Sequence, residues 1–349
     1  MTIDRINLQS DYSISRIIKG GWHLAGGHGN ISETQAIEDM KAFVEAGITT
    51  FDCADIYTGV ETLIGKFRKK YKTAFAAGDL SPIQVHTKYV PDYAALATLT
   101  KEDTTKIIDR SLQRLGVERL DLVQFAWWDY QFPRYVETAV HLADLQKQGK
   151  IRYIGVTNFD AAHLQEILDA GVKVASNQVQ YSVLDQRVQK GSNALMEKHG
   201  IQYLCYGVVA GGFLSDRYLN VPDPTQPLEN RSLTKYRLII DEFGGYELFQ
   251  EALQTLRTIA NKYDVGIAEI ATKYMLQKDL VASAIIGARN LNHLQKIQKI
   301  STFNLDATDL QIIQKIVDKA EGPNGPFYEL ERDKTGKHGR IMKYNLNDE

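Results

Sequence analysis

Eight times along this chain a short apolar run of four to seven residues gives way to a longer stretch whose apolar residues recur every three or four positions. The runs fall at residues 17–22, 48–51, 83–88, 120–126, 151–157, 172–178, 201–206 and 282–286. Strands separated by helices cannot pair as hairpins, so they join in parallel through right-handed crossovers. Eight such units imply an α/β fold, a (β/α)8 TIM barrel. The 349 residues, 44% of them apolar, suffice for one such core. An added pair of helices is expected at 246–263 and 267–277, with further helices from Leu291 and Asp306. We read residues 1–320 as a single barrel and 321–349 as a C-terminal tail.

Local signals place the elements. Ser32 and Gln35 form a capping box ahead of a face made by Ala36, Ile37, Met40, Phe43 and Val44. The next helix starts near Val60, turns Leu63, Ile64 and Phe67 inward, and ends in Arg68, Lys69 and Lys70, where cations suit the helix dipole. Residues 101–115 form a helix burying Ile108, Ser111, Leu112 and Leu115. Pro133 opens the following helix and Gly149 closes it. A short helix follows at 161–168, and 184–199 reads as largely helical. Residues 207–245, with Pro222, Pro224 and Pro227, form the longest irregular stretch, and a loop of that length is usually functional. The run Gly26-Gly27-His28-Gly29 lacks the Lys-Ser/Thr that would make it a phosphate loop.

In a parallel barrel the chemistry sits where the strands end. The second run ends in Phe51-Asp52-Cys53-Ala54-Asp55-Ile56-Tyr57, the third stops at Lys88, and the fourth stops at Ala126 beside Trp127 and Trp128. Asp52, Tyr57 and Lys88 together suit proton transfer to an oxygen. A phenol is a weak acid near neutral pH, an ammonium beside it favours the phenolate, and a carboxylate keeps a desolvated lysine charged. Taken singly, each has an ordinary reading as a cap, a half-buried ring or a snorkelling cation.

Asp52-x-Ala54-Asp55-x-Tyr57, Glu61-x-x-x-Gly65, Thr87-Lys88, Gly155-Val156-Thr157-Asn158-Phe159, Asn177-Gln178 and Ile286-Gly287-Ala288-Arg289 occur in the order and spacing of a known family. From about residue 13 to 320 the chain resembles the aldo-keto reductases. The resemblance implies NADP(H) as cofactor and reduction of a carbonyl to an alcohol, with Asp52, Tyr57 and Lys88 catalytic. It implies cofactor contacts from Gly21, Trp22, Asp52, Thr157, Asn158, Gln178, Tyr206, Gly207, Ala210, Gly211, Gly212, Gly287, Arg289 and His293. In the family, the positions of Thr157, Asn158 and Gln178 hold the carboxamide, and the tyrosine at the position of Tyr206 stacks on the nicotinamide. Backbone N–H groups around Gly207, Ala210, Gly211 and Gly212 would approach the diphosphate. Arg289, at an expected helix start capped by Asn290, suits a 2′-phosphate, and no acidic residue stands nearby in sequence to accept a ribose hydroxyl; both favour NADP over NAD.

The chain departs from the family in two places. Lys296 and Ile297 stand where a Glu and an Asn commonly bind adenine. Ala126 stands where the family has a histidine that orients the substrate carbonyl, and losing such a donor typically costs on the order of 100-fold in rate. Three explanations fit: an engineered knock-out, a natural variant using Tyr57 alone, or a move to another activity, such as a sensor, a partner subunit, or a lyase or isomerase. His23, on the first loop, is the candidate substitute, whereas His86 should lie one layer deeper as a core residue.

The expected partner is a small carbonyl compound, aromatic or largely apolar, in a mouth lined by Trp22, Tyr57, Tyr89, Trp127 and Trp128. A net charge of −2 gives no reason to expect nucleic acid or an acidic membrane. No run approaches the roughly 20 apolar residues of a membrane helix. The two cysteines, Cys53 and Cys205, have neither metal-ligand nor CxxC spacing, which points to a reducing, cytoplasmic setting and no metal. The basic tail can fold over the mouth or contact another subunit, though such composition is more commonly solvated.

Overall fold

A two-stranded antiparallel hairpin, β1 (Arg5–Gln9) and β2 (Tyr12–Ser15), opens the chain. In this computed structural model residues 3–25, 32–224, 227–288 and 290–347 are described; the glycine run at 26–29 and Arg289 lie outside them. Eight parallel strands follow: β3 (Ile17–Gly20), β4 (Thr50–Asp52), β5 (Gln84–Tyr89), β6 (Leu120–Ala126), β7 (Ile151–Thr157), β8 (Ser176–Gln180), β9 (Gln202–Tyr206) and β10 (Val281–Ile286). They close as a barrel in the order β10-β3-β4-β5-β6-β7-β8-β9, which is the (β/α)8 architecture the alternation implies.

The hairpin has no counterpart in the sequence reading, because its strands mix charge with few apolar residues. Leu8, Tyr12 and Ile14 nonetheless pack with Ile18, Leu122, Ala175, Leu204 and Ala282 and fill the barrel below the catalytic layer. A larger cluster fills the shell between strands and helices.

Helix ends follow local chemistry. Ser32 caps Glu33–Glu45 by accepting from Gln35 N. The Gln35 side chain donates to Asp39 Oδ1 (2.8 Å), so the second arm of the expected capping box is not made. Both arms are made at Lys101–Leu115, between Thr100 and Asp103.

Four expectations need correction. The sixth barrel strand begins at Ser176, not 172. Residues 184–199 are not one helix but a 3-10 turn, Arg187–Gln189, and a short helix, Asn193–His199. There Arg187 is fully buried and donates to both oxygens of Asp185 (3.0 and 2.7 Å) and both of Glu331 (3.3 Å each), a geometry that overrides the local periodicity. The irregular stretch ends at Asn230, whose Oδ1 accepts from Leu233 N (3.0 Å) and caps the helix Arg231–Phe243. That helix buries Leu233, Tyr236, Ile239, Ile240 and Phe243, a periodic face present in the sequence.

Finally, the tail is not a loose solvated segment but packs onto the barrel through a subset of its residues. Phe327, Tyr328, Glu331, His338 and Asn347 are buried. Asn347 Nδ2 donates to Val90 O (2.7 Å), Arg110 donates to Asn347 O (3.0 Å), and Asp92 Oδ1 accepts from the backbone N–H groups of Leu346 (2.8 Å) and Asn347 (3.0 Å). A few of its polar residues, Glu331, His338 and Asn347, are buried, while Asp333, Lys334, Lys337, Arg340 and Lys343 stay exposed.

Candidate active site

Strand register sets the innermost layer. Gly20, Asp52 and His86 pair side by side across β3, β4 and β5, while Lys88 pairs with Gln124, Ala126 with Thr157, and Thr157 in turn with Gln178. Side chains alternate along a strand, so His86 and Lys88 share the inner face of β5, with His86 the deeper of the two.

Lys88 Nζ donates to Asp52 Oδ2 (2.7 Å) and to Cys53 O (2.9 Å), and both side chains are 5% exposed, so water does not screen the pair. The opposite oxygen, Asp52 Oδ1, accepts from Gln178 Nε2 (2.7 Å) and Gln124 Nε2 (3.1 Å), which fixes the carboxylate from two further strands. The Lys88 ammonium lies 5.0 Å from the Tyr57 ring centre. Burial alone would lower the Lys88 pKa, but Asp52 and Tyr57 outweigh it and raise it. For Tyr57, burial raises the phenol pKa, Lys88 opposes that and Asp52 adds to it, so the net shift is upward. The ammonium therefore limits the rise and does not bring the phenol below its ordinary value. His86 is buried, with Nε2 3.2 Å from Tyr12 OH, and burial followed by the Lys88 charge brings its pKa down to about 3. It is a neutral core group, as expected.

Asp52, Tyr57, Lys88 and Gln178 border a cavity of ≈ 850 Å³ at the C-terminal ends of the strands. Of the candidates, Trp22, Asp52, Tyr57, Lys88, Ala126, Trp127, Trp128, Thr157, Asn158, Gln178, Tyr206, Gly207, Gly211, Gly212, Gly287 and His293 line it. Three do not. Tyr89 follows Lys88 on β5 and so points outward, fully buried, with its hydroxyl 3.2 Å from Thr104 Oγ1. Gly21 sits behind the wall, its N–H donating to Asp52 O (2.8 Å). Ala210 is fully buried and its N–H is spent on Gly207 O (2.8 Å). His23 lines the cavity, but its ring packs on Gly287, where there is no room for a Cβ. That places it by β10, across the barrel from β6, and not beside Ala126.

The cavity wall fits a nicotinamide carboxamide in one specific respect: Thr157 Oγ1 is buried there without a hydrogen-bond partner. Beside it Asn158 adopts φ 60°, and its Oδ1 accepts from Tyr206 OH (3.1 Å). Gly207 has a second reason to be glycine: Tyr236 packs directly on its Cα, and φ is 73°. At the far end the wall includes His293, Lys296 and Ile297, but also Asp216, Glu229 and Glu269. The absence of acidic neighbours therefore held only along the sequence. Glu269 is occupied by Gly266 N (2.7 Å), and Asp216 by Arg257 (2.6 Å) and Ile267 N (3.2 Å). Among the described residues there is no cluster of three metal-ligating side chains, and no helix long and apolar enough to cross a membrane.

Sequence reasoning expected part of residues 207–245 at the mouth and gave the tail folding over it as one alternative, but it singled out none of the residues that build this wall. Lys235 and Tyr236 come from the helix Arg231–Phe243, and Tyr328, Ile341, Met342 and Leu346 from the tail. The periodic face of that helix was a readable signal; the tail carried none.

The aldo/keto reductase family model matches residues 16–318. Aldo-keto reductase YhdN of Bacillus subtilis (strain 168) is 25% identical over 321 residues, spanning 90% of this chain and 93% of its own. The NADH-specific methylglyoxal reductase of Escherichia coli (strain K12) is 23% identical over 332 residues, spanning 89% and 97%. Among solved structures, the holo form of aldo-keto reductase AKR11C1 from Bacillus halodurans matches with a TM-score of 0.72 at 26% identity, over 95% of this chain and 100% of that one. Glycerol dehydrogenase AKR11B4 from Gluconobacter oxydans matches with a TM-score of 0.75 at 22% identity, over 93% and 99%, a likeness of fold alone. Since the matched segment runs from the first barrel strand to the helix Ala307–Val317, the whole cavity floor is included, and the chain belongs to the aldo/keto reductase family.

Proposed function

We propose that the protein is an NADP(H)-dependent oxidoreductase that reduces an aldehyde or ketone to an alcohol, with Tyr57 giving the proton. The observation that carries this is the sealed Lys88–Asp52 pair, 2.7 Å apart, with its ammonium 5.0 Å from the Tyr57 ring at the cavity wall. A reduced nicotinamide held by Thr157, Asn158, Gln178 and Tyr206 would supply the hydride. Tyr57 stays protonated near neutral pH and so is ready to donate to a substrate oxygen. Lys88 then stabilises the phenolate left behind, and Asp52 keeps Lys88 charged. Trp22, Trp127 and Trp128 favour an aromatic or apolar substrate. Lys296 and His293, with Arg289 by family resemblance, support a 2′-phosphate. The methylglyoxal reductase among the relatives uses NADH, so both cofactors belong in the test.

Ala126 favours a second reading. A methyl group there cannot donate to a carbonyl oxygen, which fits a nicotinamide-binding barrel that turns over slowly and acts as a sensor or partner subunit. Binding of NADPH and NADH, measured by nicotinamide fluorescence, followed by cofactor oxidation with a panel of aldehydes and quinones, separates the two in this chain and in Ala126→His. Turnover by the chain itself supports the reductase. Binding without turnover, with strong turnover in Ala126→His, supports the second reading. Absence of binding in both removes the cofactor.

A further inference from the structure

One cation at the cavity has, among the described residues, no hydrogen-bond acceptor for its protons. Lys235 is half-buried and lines the cavity. Its Nζ makes no hydrogen bond or ion pair among the described residues and is not sealed from the cavity. Three tyrosine rings surround it, with centres 5.1 Å (Tyr206), 5.6 Å (Tyr328) and 5.7 Å (Tyr236) from Nζ. Ring faces attract a cation but leave its three N–H donors largely unused.

The two carboxylates that act on it, Glu331 and Asp185, are engaged elsewhere. Glu331 raises the Lys235 pKa from a distance, yet both its oxygens are turned to Arg187 at 3.3 Å, and Asp185 holds the same guanidinium at 2.7 Å. Burial outweighs them and lowers the ammonium's pKa. One wall of the cage is held under strain: Tyr328 has φ 64°, a conformation rare for a bulky side chain, which persists only where its surroundings impose it. Tyr57, Tyr236 and Tyr328 line the same cavity, so the cage and the proposed proton donor share one chamber.

We infer that Lys235 anchors an anionic oxygen group of the substrate, a carboxylate, so that the carbonyl compound reduced here is an aldehyde or keto acid. A single ammonium in an aromatic cage matches a monoanion, and binding it would complete the missing hydrogen bonds. The word substrate rests on the reductase reading; the anion seat does not.

The test therefore separates binding from turnover. Benzoate, benzamide and phenyl phosphate are titrated against tryptophan fluorescence in the wild type, Lys235→Met and Lys235→Arg, with NADPH affinity measured in each. The wild type should bind benzoate about ten- to a hundredfold more tightly than benzamide, the size of one charge-assisted contact. Lys235→Met should erase that preference, Lys235→Arg should keep most of it, and NADPH affinity should not change. Equal binding of benzoate and benzamide by the wild type overturns the seat, whatever the variants do. A loss of NADPH affinity in Lys235→Met with the benzoate preference kept also overturns it, by giving the cation to the cofactor. Tighter binding of phenyl phosphate keeps the anchor and names a phosphate ester as the anion. With 4-carboxybenzaldehyde and benzaldehyde as substrates, kcat/KM should favour the acid by a similar factor. A carboxylate seat in a protein that reduces neither aldehyde would defeat the reductase reading alone.

Discussion

Lys88 and Asp52 meet at 2.7 Å with both side chains almost fully withdrawn from water. Either charge alone would be costly at that depth, and together they are held by bonds from β4, β5, β6 and β8. A buried ion pair next to Tyr57 gives the phenol a fixed field, which suits the proton-donating role proposed for it.

Tyr57→Phe removes the proposed acid but keeps the ring. Reduction should fall by about 100- to 10,000-fold while NADPH binding is retained. Stopped-flow turnover with fluorescence titration measures both, and unchanged turnover would remove Tyr57 from the mechanism.

Lys88→Met leaves Asp52 buried with only two amide donors. Breaking a buried pair costs about 3–5 kcal/mol, and Lys88→Met combined with Asp52→Asn should recover a large part of it. Urea denaturation of the single and double variants checks this; equal losses in the two would mean the pair's charge is unimportant to stability.

Asp55 should make stability depend on pH. Burial raises its pKa from 3.8 to about 8, against the lowering effect of bonds from the N–H groups of Val90 and Ile56. A carboxyl raised in the fold favours the folded state below pH ~4, where it is protonated in both states, and this contribution is lost as pH rises to about 8. Asp55→Asn should therefore stabilise the protein at pH 9 by a few kcal/mol relative to its effect at pH 4. Denaturation curves at both pH values decide it, and a pH-independent difference would rule the shift out.

Glu331→Gln weakens the hold on Arg187, a fully buried guanidinium shared by Asp185 and the tail. Stability should drop by about 3 kcal/mol or more, and tail proteolysis should speed up if the tail detaches first. Limited proteolysis followed by mass spectrometry reads this, with cleavage after residue 321 as the expected site. No change in cleavage would show that the other anchors, such as Asn347 on Val90, suffice.

The sequence by itself determined the barrel and the floor of its site. Strand ends, helix faces and the Asp52–Tyr57–Lys88 set were readable because burial repeats every two residues in a strand and every three or four in a helix, and such periods are local. Alternation also predicts that Tyr89 points away once Lys88 points in, so that error lay in the reading and not in the chain. Tertiary structure alone decided what stands above the floor. Tyr328 reaches the cavity from a segment held by the Glu331–Arg187 ion pair, whose members lie 144 positions apart, and Asn347 docks on Val90 across 257. No local period encodes such contacts: a charged segment is solvated or buried according to whether distant partners meet its hydrogen bonds, and only the folded chain brings Arg187, Asp92 and Val90 to the tail.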